Sequence, residues 1–319
     1  MSPINSNEKE EYTQDEMVYT TYNDTKTDES KRISLLRLSQ KEIVEIFTSI
    51  SQDNRQIVIP IGFPEAGKSW FISSLMFYSA KNTAKRWSAQ NMVEYPFEMG
   101  NISRDGMIKN FEENKGKPQT SPGTLDLIGM NVIPQKKSRP LLNLAFVDLA
   151  GEDLKSIRTD DGGKFSIKIE GILKACEFGK PIFCLITPYK PRLGDTKEDA
   201  MHDDFLNYLK VTMPRLYEAS RFIVIVTQWD KMIDQMSIEN YIEKYRPRIH
   251  NAMKARNAKI VYGEFSVGDV MSVLDEHNQK VDFLSKVNFK YPHNFWNNLY
   301  KLATGKSLEG DWWEKLLGL

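Results

Sequence analysis

An eight-residue segment, Gly62–Ser69, constrains the fold of this chain more than any other feature. It fits the pattern G-x-x-x-x-G-K-[ST], follows an apolar run over Ile57–Ile61 that predicts a buried strand, and precedes a helical pattern over Trp70–Tyr78. Glycines allow the backbone to wrap closely around an anion, with successive N–H groups pointing inward at the start of a helix. The segment therefore predicts a phosphate-binding loop between a strand and a helix.

The positions of this loop have different expected roles. Lys68 would reach the outer phosphates, and Ser69 would supply one ligand to Mg²⁺. Pro64 removes one N–H from the phosphate cradle, and the charge of Glu65 is expected to point outward; both occupy variable positions of the pattern. The residues predicted to surround the phosphates are Gly62, Glu65, Ala66, Gly67, Lys68, Ser69 and Trp70.

A second G-K-S sequence, Thr304–Ser307, lacks the other features of such a loop. Tyr300 stands where the first glycine would be, and a helical pattern precedes it in place of a strand. We interpret it as the end of a helix, with Gly305 close to the C′ position.

Apolar runs alternate with helical patterns, which predicts an α/β fold with a mainly parallel sheet and helices on both faces. The other expected strands are Leu125–Ile133, Leu141–Asp148, Ile182–Thr187, Phe222–Thr227 and Ile260–Ser266. The other expected helices are Ser39–Ser51 with Ser39 as N-cap, Phe165–Phe178, Asp195–Tyr217, Ile238–Asn257 with a kink at Pro247, and Phe295–Ala303. We expect an acidic, flexible tail over residues 1–32 and a single domain over 33–319. Its core would span about 55–306, with an insertion over about 79–124.

Composition excludes several classes of function. Lys plus Arg and Asp plus Glu both number 43, and a net charge of zero argues against general nucleic-acid binding. Two cysteines are too few for a disulfide framework, and four scattered histidines support neither a zinc site nor a Ser-His triad. A polar N-terminus and the absence of an apolar run of ~20 residues predict a cytoplasmic protein. Trp312–Leu319 is expected to fold back on the domain, with docking on a protein or membrane as the alternative.

Two motifs lie at the ends of predicted strands. Asp148–Gly151 has the pattern D-x-x-G, in which the carboxylate can hold Mg²⁺ through water and Gly151 can offer its N–H to a phosphate. Thr227–Asp230 ends the next but one strand, where a carboxylate can accept hydrogen bonds from guanine N1–H and N2–H. Adenine lacks this pair of donors, so Asp230 would select the base. The alternative role of Asp230 is a helix cap.

A third motif, Phe265–Gly268, ends the last predicted strand, where Ser266 and Val267 would contact the guanine O6. With the glycine-rich loop, these motifs resemble four sequence boxes of the Ras-like, TRAFAC-type P-loop GTPases over roughly Ile57–Lys306. The resemblance implies a three-layer P-loop fold, binding of Mg²⁺ and GTP or GDP, hydrolysis of GTP, and a protein partner that contacts two switch loops. Gln228 departs from the pattern because it replaces a lysine whose stem covers the base. The base-binding residues expected here are Thr227, Gln228, Asp230, Lys231, Ser266 and Val267.

The resemblance also implies a threonine ligand of Mg²⁺ just before the second strand. Thr124 is the predicted residue, with Thr120 and Ser121 as alternatives in the same turn-rich segment. The predicted metal ligands are Ser69, Thr124 and Asp148, and the predicted catalytic set is Lys68, Thr124, Gly151 and Glu152.

Glu152 occupies the position at which the family usually has a glutamine that orients water. Its carboxylate can accept a proton but repels a phosphate, so it is either a weak base or a surface residue of a slow enzyme. Arg104 and Arg158 are candidates for an arginine finger.

Three functions remain open. The first is a switch that binds Mg-GTP and hydrolyses it slowly to control a protein partner. The second is an ATP-using P-loop enzyme, which Thr227–Asp230 disfavours, and the third is a scaffold that binds nucleotide without hydrolysis, which Glu152 keeps open. The long insertion and the run Leu149–Asp153 are also similar to the bacterial double-GTPase group, which implies a role in conflict or defence with a second encoded protein.

Overall fold

A sheet of eight strands organises the computed structural model, and a separate two-stranded hairpin follows its last strand. The strands are β1 (Ile33–Ser34), β2 (Gln56–Gly62), β3 (Trp87–Asn91), β4 (Thr124–Pro134), β5 (Leu142–Leu149), β6 (Ile182–Pro188), β7 (Arg221–Thr227), β8 (Ile260–Glu264), β9 (Gly268–Leu274) and β10 (Lys280–Val287). The helices are α1 (Gln40–Gln52), α2 (Lys68–Lys81), α3 (Glu98–Glu112), α4 (Gly151–Lys155), α5 (Ile167–Cys176), α6 (Lys197–Thr212), α7 (Pro214–Ala219), α8 (Ile238–Tyr245), α9 (Pro247–Ala255) and α10 (Lys290–Thr304).

The structure describes residues 33–34, 38–64, 66–82, 86–116, 120, 122–157, 163–190, 197–233, 235–256, 260–274 and 280–309. They belong to one unit of the chain, Lys31–Leu319. The predictions for the tail 1–32, for Glu65, Ser121 and Arg158, and for Trp312–Leu319 concern residues outside this part. Within it, no helix is both long and apolar enough to cross a bilayer.

The sheet order is β1-β4-β5-β2-β6-β7-β8, with β3 also paired to β4. Strands β5, β2, β6, β7 and β8 run parallel, whereas β4 is antiparallel to β5. Every residue of β2 and β6 is buried, which requires cover on both faces of the sheet. The predicted α/β fold with a mainly parallel sheet and helices on both faces is thereby confirmed. Because parallel strands end at the same edge, the loops after β2, β5, β6, β7 and β8 meet there.

Local chemistry explains where several helices begin and end. Ser39 caps α1 in a capping box with Glu42, and Gly305 ends α10 in the left-handed region (φ 76°), as the sequence predicts. Two predicted single helices are each two helices. The residues before Pro214 and Pro247 leave helical geometry, because a proline ring clashes with a helical residue that precedes it. At Pro247 the expected kink is therefore a break.

The insertion predicted over about 79–124 contains β3 and the fifteen-residue helix α3. Neither element was predicted, because α3 is largely polar, with two glycines, and shows no clear apolar stripe. The hairpin of β9 and β10 was also missed. It joins the insertion through an antiparallel bridge between Lys115 and Phe283.

The break between α8 and α9 positions a fully buried arginine, Arg246, against the end of β6. Its Nε donates to Thr187 Oγ1 at 2.8 Å, its Nη2 to the Pro188 carbonyl at 2.8 Å, and its Nη1 to the Tyr245 carbonyl at 2.6 Å. The guanidinium also lies 5.5 Å from the ring centroid of Tyr241. This cluster holds the chain in place where it leaves β6.

We predict that Arg246→Met lowers the free energy of unfolding by about 3 kcal/mol, because it leaves several buried acceptors without donors. Urea denaturation followed by circular dichroism measures the change. Arg248→Met, at an exposed side chain on α9, is the matched control and should cost less than about 0.5 kcal/mol. Equal losses in the two variants would contradict this role for Arg246.

Candidate functional site

The glycine-rich loop leaves β2 at Gly62 and enters α2 at Lys68. Gly67 is the N-cap of α2 and has φ 82°, a conformation that favours glycine. A Cβ at Gly67 would also lie 3.3 Å from Thr227 Oγ1. The loop is thus fixed in a shape that places Lys68 and Ser69 in the first turn of a fourteen-residue helix, where backbone N–H groups favour an anion.

The ammonium of Lys68 forms a buried ion pair with Asp148. Lys68 Nζ lies 2.6 Å from Asp148 Oδ1, and the two side chains are 8 % and 1 % exposed. Lys68 also donates to the Leu149 carbonyl, and Thr120 Oγ1 donates to Asp148 Oδ2 at 3.1 Å. Both oxygens of the Asp148 carboxylate are therefore engaged, one by a cation and one by a hydroxyl.

A second buried carboxylate, Asp126, is the direct cross-strand partner of Asp148 in the β4–β5 ladder. Directly opposed residues of antiparallel strands share a face of the sheet. Asp126 therefore belongs to the surroundings of Lys68 and Asp148. Sequence reasoning missed it because it occupies an apolar run and no motif contains it.

Gly151 brings the D-x-x-G segment against the glycine-rich loop. A Cβ at Gly151 would lie 3.0 Å from Pro64 N, so this close approach favours glycine. Two residues later, the Asp153 carboxylate accepts hydrogen bonds from Gly123 N at 3.1 and 2.9 Å. Burial raises the pKa of Asp153 above its ordinary value, and the bond from Gly123 opposes that shift. The segments before β4 and after β5 are joined by this contact.

The end of β7 supports the loop from its other side. Thr227 Oγ1 donates to the Ala66 carbonyl at 2.7 Å, so this threonine positions the glycine-rich loop. Gln228 has φ 57° and ψ 33°, and the 3₁₀ turn Trp229–Lys231 follows. Trp229 is buried and its N–H donates to the Phe265 carbonyl at 3.1 Å, whereas Asp230 is exposed.

A cavity of about 720 Å³ joins these segments, a volume within the usual range for small-molecule sites. Among the residues predicted from sequence, those that line it are Gly67, Lys68, Ser69, Trp70, Gly151, Thr227, Gln228, Asp230, Lys231, Ser266 and Val267. Gly62 ends β2 and Ala66 is buried, and neither is among the described residues that line the cavity. Asp148 contacts two lining residues, Lys68 and Thr120. Glu152 lies on α4 beside Gly151.

The cavity is also lined by residues to which the sequence assigned no specific role or only an alternative one. They comprise Phe63, Pro64, Phe71, Thr120, Lys190, Phe265, Gly268, Asp269, Val270 and Ser272. Thr120 was only an alternative to Thr124, yet Thr120 is buried in the site and bonded to Asp148. Thr124 begins β4 opposite Ser34 and is not among the described residues that line the cavity. Of the two threonines, Thr120 is therefore the one that the structure brings to the cavity, whereas Thr124 lies in the β1–β4 ladder.

Arg104 is not placed at this cavity either. It lies on α3 with its side chain buried, and its Nη1 is 3.3 Å from Asp105 Oδ1. Burial lowers the pKa of Arg104 below its ordinary value. Among the described residues that line the cavity, none is an arginine.

The residues around Lys68 fit a magnesium ion that is bound together with phosphate. Ser69, Thr120 and Asp148 supply hydroxyl and carboxylate oxygens, the ligands that Mg²⁺ prefers. The described residues contain no cluster of three or more His, Cys, Asp or Glu side chains that could form a metal cage. Mg²⁺ commonly uses one or two carboxylates plus substrate phosphates, so this sparse set of donors is sufficient.

Comparisons with known proteins extend this picture very little. No family model matches the chain, and no curated protein matches it. Among solved structures, the chain is similar to Toc33 from Arabidopsis thaliana, crystallised as a dimerization-deficient mutant. The two share 11 % sequence identity and a TM-score of 0.37 over 86 % of this chain and 96 % of that chain. At this level of similarity, the site rests on its own geometry.

A buried histidine on α6 links the core to the start of the loop. His202 Nε2 donates to the Ile61 carbonyl at 3.2 Å, and burial lowers the pKa of His202 to about 4. The native state therefore disfavours the protonated ring. Because the pKa of histidine in an unfolded chain is about 6.5, stability is complete above pH 6.5 and falls as the pH drops toward 4.

We predict that the free energy of unfolding falls less between pH 6.5 and pH 4 in His202→Asn than in wild type. The wild-type loss from this residue is on the order of 3 kcal/mol. Urea denaturation at several pH values measures how the free energy of unfolding of each protein depends on pH. His250→Asn removes a histidine without touching the Ile61 carbonyl; an equal change of slope in that variant would count against His202.

Proposed function

We propose that this chain is a guanine-nucleotide-binding switch that binds Mg-GTP and hydrolyses it slowly to GDP and phosphate. The observation that carries the proposal is the single cavity around which four separated segments meet. These are the glycine-rich loop, the segment at Gly151, the turn Thr227–Lys231, and Ser266 with Val267. Each segment follows a strand of the parallel sheet, where ligands of such folds bind.

The phosphates would lie at the N-terminus of α2. There, the backbone of the loop and the ammonium of Lys68 neutralise negative charge. Lys68 would exchange its contact with Asp148 for phosphate oxygens. Ser69, Thr120 and Asp148 would then hold Mg²⁺, which when bound neutralises charge on the phosphates.

The base would lie against the turn after β7. Asp230 is exposed at the cavity wall, where its carboxylate can accept from guanine N1–H and N2–H. An adenine would leave these acceptors without donors, and the cost of unpaired polar groups gives the selectivity. This chemistry favours the switch over the ATP-using enzyme.

Slow hydrolysis follows from the groups close to the phosphates. Glu152 follows Gly151, which lines the cavity, and its carboxylate would repel a phosphate. No described lining residue is an arginine that could stabilise developing charge. A protein partner that contacts the segments joined by Gly123 and Asp153 would distinguish the GTP-bound from the GDP-bound form. The resemblance to the double-GTPase group suggests that this partner is a second encoded protein.

Calorimetry with GTP, ATP and xanthosine triphosphate tests the choice of base. We expect wild type to bind GTP at least tenfold more tightly than ATP. We expect Asp230→Asn to bind GTP more weakly and the xanthine nucleotide more tightly than wild type does. The asparagine NH₂ can donate to xanthine, which has an acceptor where guanine has the N2 donors. Asp269→Asn, at another exposed carboxylate of the cavity, is the control. Equal or tighter ATP binding by wild type would reject the switch.

Phosphate release under multiple turnover separates a slow enzyme from a scaffold. We expect slow release with GTP that Lys68→Ala abolishes. Release that survives Lys68→Ala would place hydrolysis elsewhere, and binding without any release would favour the scaffold.

We further predict that Asp148→Asn tightens GTP binding severalfold when EDTA removes the metal, and weakens it in Mg²⁺. Without metal, Asp148 competes with the phosphates for Lys68; with metal, its carboxylate is needed as a ligand. Asp153→Asn, at a carboxylate bonded to Gly123, should leave the EDTA affinity unchanged. If Asp148→Asn bound GTP equally more weakly in EDTA and in Mg²⁺, the ion pair would not restrain Lys68.

A further inference from the structure

We propose that Lys231 sets the base selectivity of the cavity by fixing the amide of Gln228, so that Gln228 donates to the 6-oxo group of a purine. This inference rests on the proposed guanine-nucleotide function. It makes Lys231 a positioning residue that acts through Gln228, and it gives Gln228 a role that differs from covering one face of the base.

The orientation of the amide follows from the chemistry of its partner. Lys231 Nζ lies 2.7 Å from Gln228 Oε1. An ammonium group has donors only, so it stabilises the rotamer in which the amide oxygen faces it. The amide NH₂ is then on the opposite side, where it can only donate.

The backbone holds this pair in place. Gln228 has φ 57°, a left-handed conformation that non-glycine residues rarely adopt and that is concentrated at functional sites. Lys231 N donates to the Gln228 carbonyl at 3.1 Å, which closes the turn. Between them, Trp229 is buried and packs edge-on against Tyr241 at a centroid distance of 5.6 Å. The turn is anchored, so the side chains of Gln228 and Lys231 meet in a defined way.

The two polar groups of this wall would read different parts of a purine. Asp230 accepts hydrogen bonds and would read the N1–H and N2–H donors. Gln228 would donate and read an oxygen at position 6, which guanine and hypoxanthine have and adenine replaces with a donor amino group. A donor that faces another donor is disfavoured, so Gln228 adds selectivity that Asp230 alone does not provide.

Binding of GTP, ITP and ATP to Lys231→Met tests the inference by calorimetry. We expect GTP and ITP to bind about tenfold more weakly with an unchanged GTP-to-ITP ratio. ATP should bind equally well or more tightly, because a released amide can turn its oxygen toward the 6-amino group. Lys231→Arg keeps a donor and should restore most of the loss. Lys210→Met, at an exposed lysine on α6 outside the described cavity lining, is the control. Thermal unfolding verifies that each variant folds.

A double-mutant cycle shows whether Lys231 acts through Gln228. Gln228→Glu keeps the shape and the contact with Lys231 but has no N–H, so it should lose about tenfold with GTP and ITP. Adding Lys231→Met to Gln228→Glu should cause little further loss of these affinities. Fully additive losses, equal weakening of GTP and ATP, or no change in Lys231→Met would each overturn the inference. If wild type prefers GTP in those cases, the proposed function stands; if wild type does not prefer GTP, both fall.

Discussion

The buried pair of Lys68 and Asp148 is the interaction on which the site depends. Removing two charges from water is costly, and a buried ammonium or carboxylate persists only with good partners. Asp148 at the end of β5 supplies the countercharge for the first turn of α2, and Thr120 satisfies its second oxygen. The pair joins a strand, a helix and the segment before β4. Any anion that attracts Lys68 therefore changes the electrostatic surroundings of all three.

Hydroxyl groups and main-chain carbonyls hold the remaining walls. Thr227 bonds to the Ala66 carbonyl, and Arg246 bonds to Thr187 and to the carbonyl that follows it. The Thr227 contact supports the glycine-rich loop, and the Arg246 contacts fix the end of β6. The walls of the cavity are thus tied to the rest of the fold by hydrogen bonds within the chain.

The sequence predicted those parts of the molecule that depend on local chemistry. The apolar runs of β2 and β6, the cap at Ser39 and the αL end at Gly305 follow from periodicity and backbone preference. Thr124 was predicted ahead of Thr120, yet Thr120 is the one at the cavity. Which threonine reaches the cavity depends on which residue joins the β4 ladder, and the sequence does not show that. Lys190 and Val270 reach the cavity from elements with no motif, so only the tertiary fold reveals them. The strand ends could be located from sequence. Which side chains face one another at that edge of the sheet could not.

The contacts that build the cavity are distant in sequence, which has a consequence for the order of events during synthesis. Lys68 and Asp148 are 80 residues apart, and Thr227 and Ala66 are 161 apart. Long-range contacts of this kind form late, because the intervening chain must first be ordered. A nascent chain that has exposed α2 but not β7 would have the glycine-rich loop without its support from Thr227. The cavity therefore becomes complete only when most of the polypeptide has emerged.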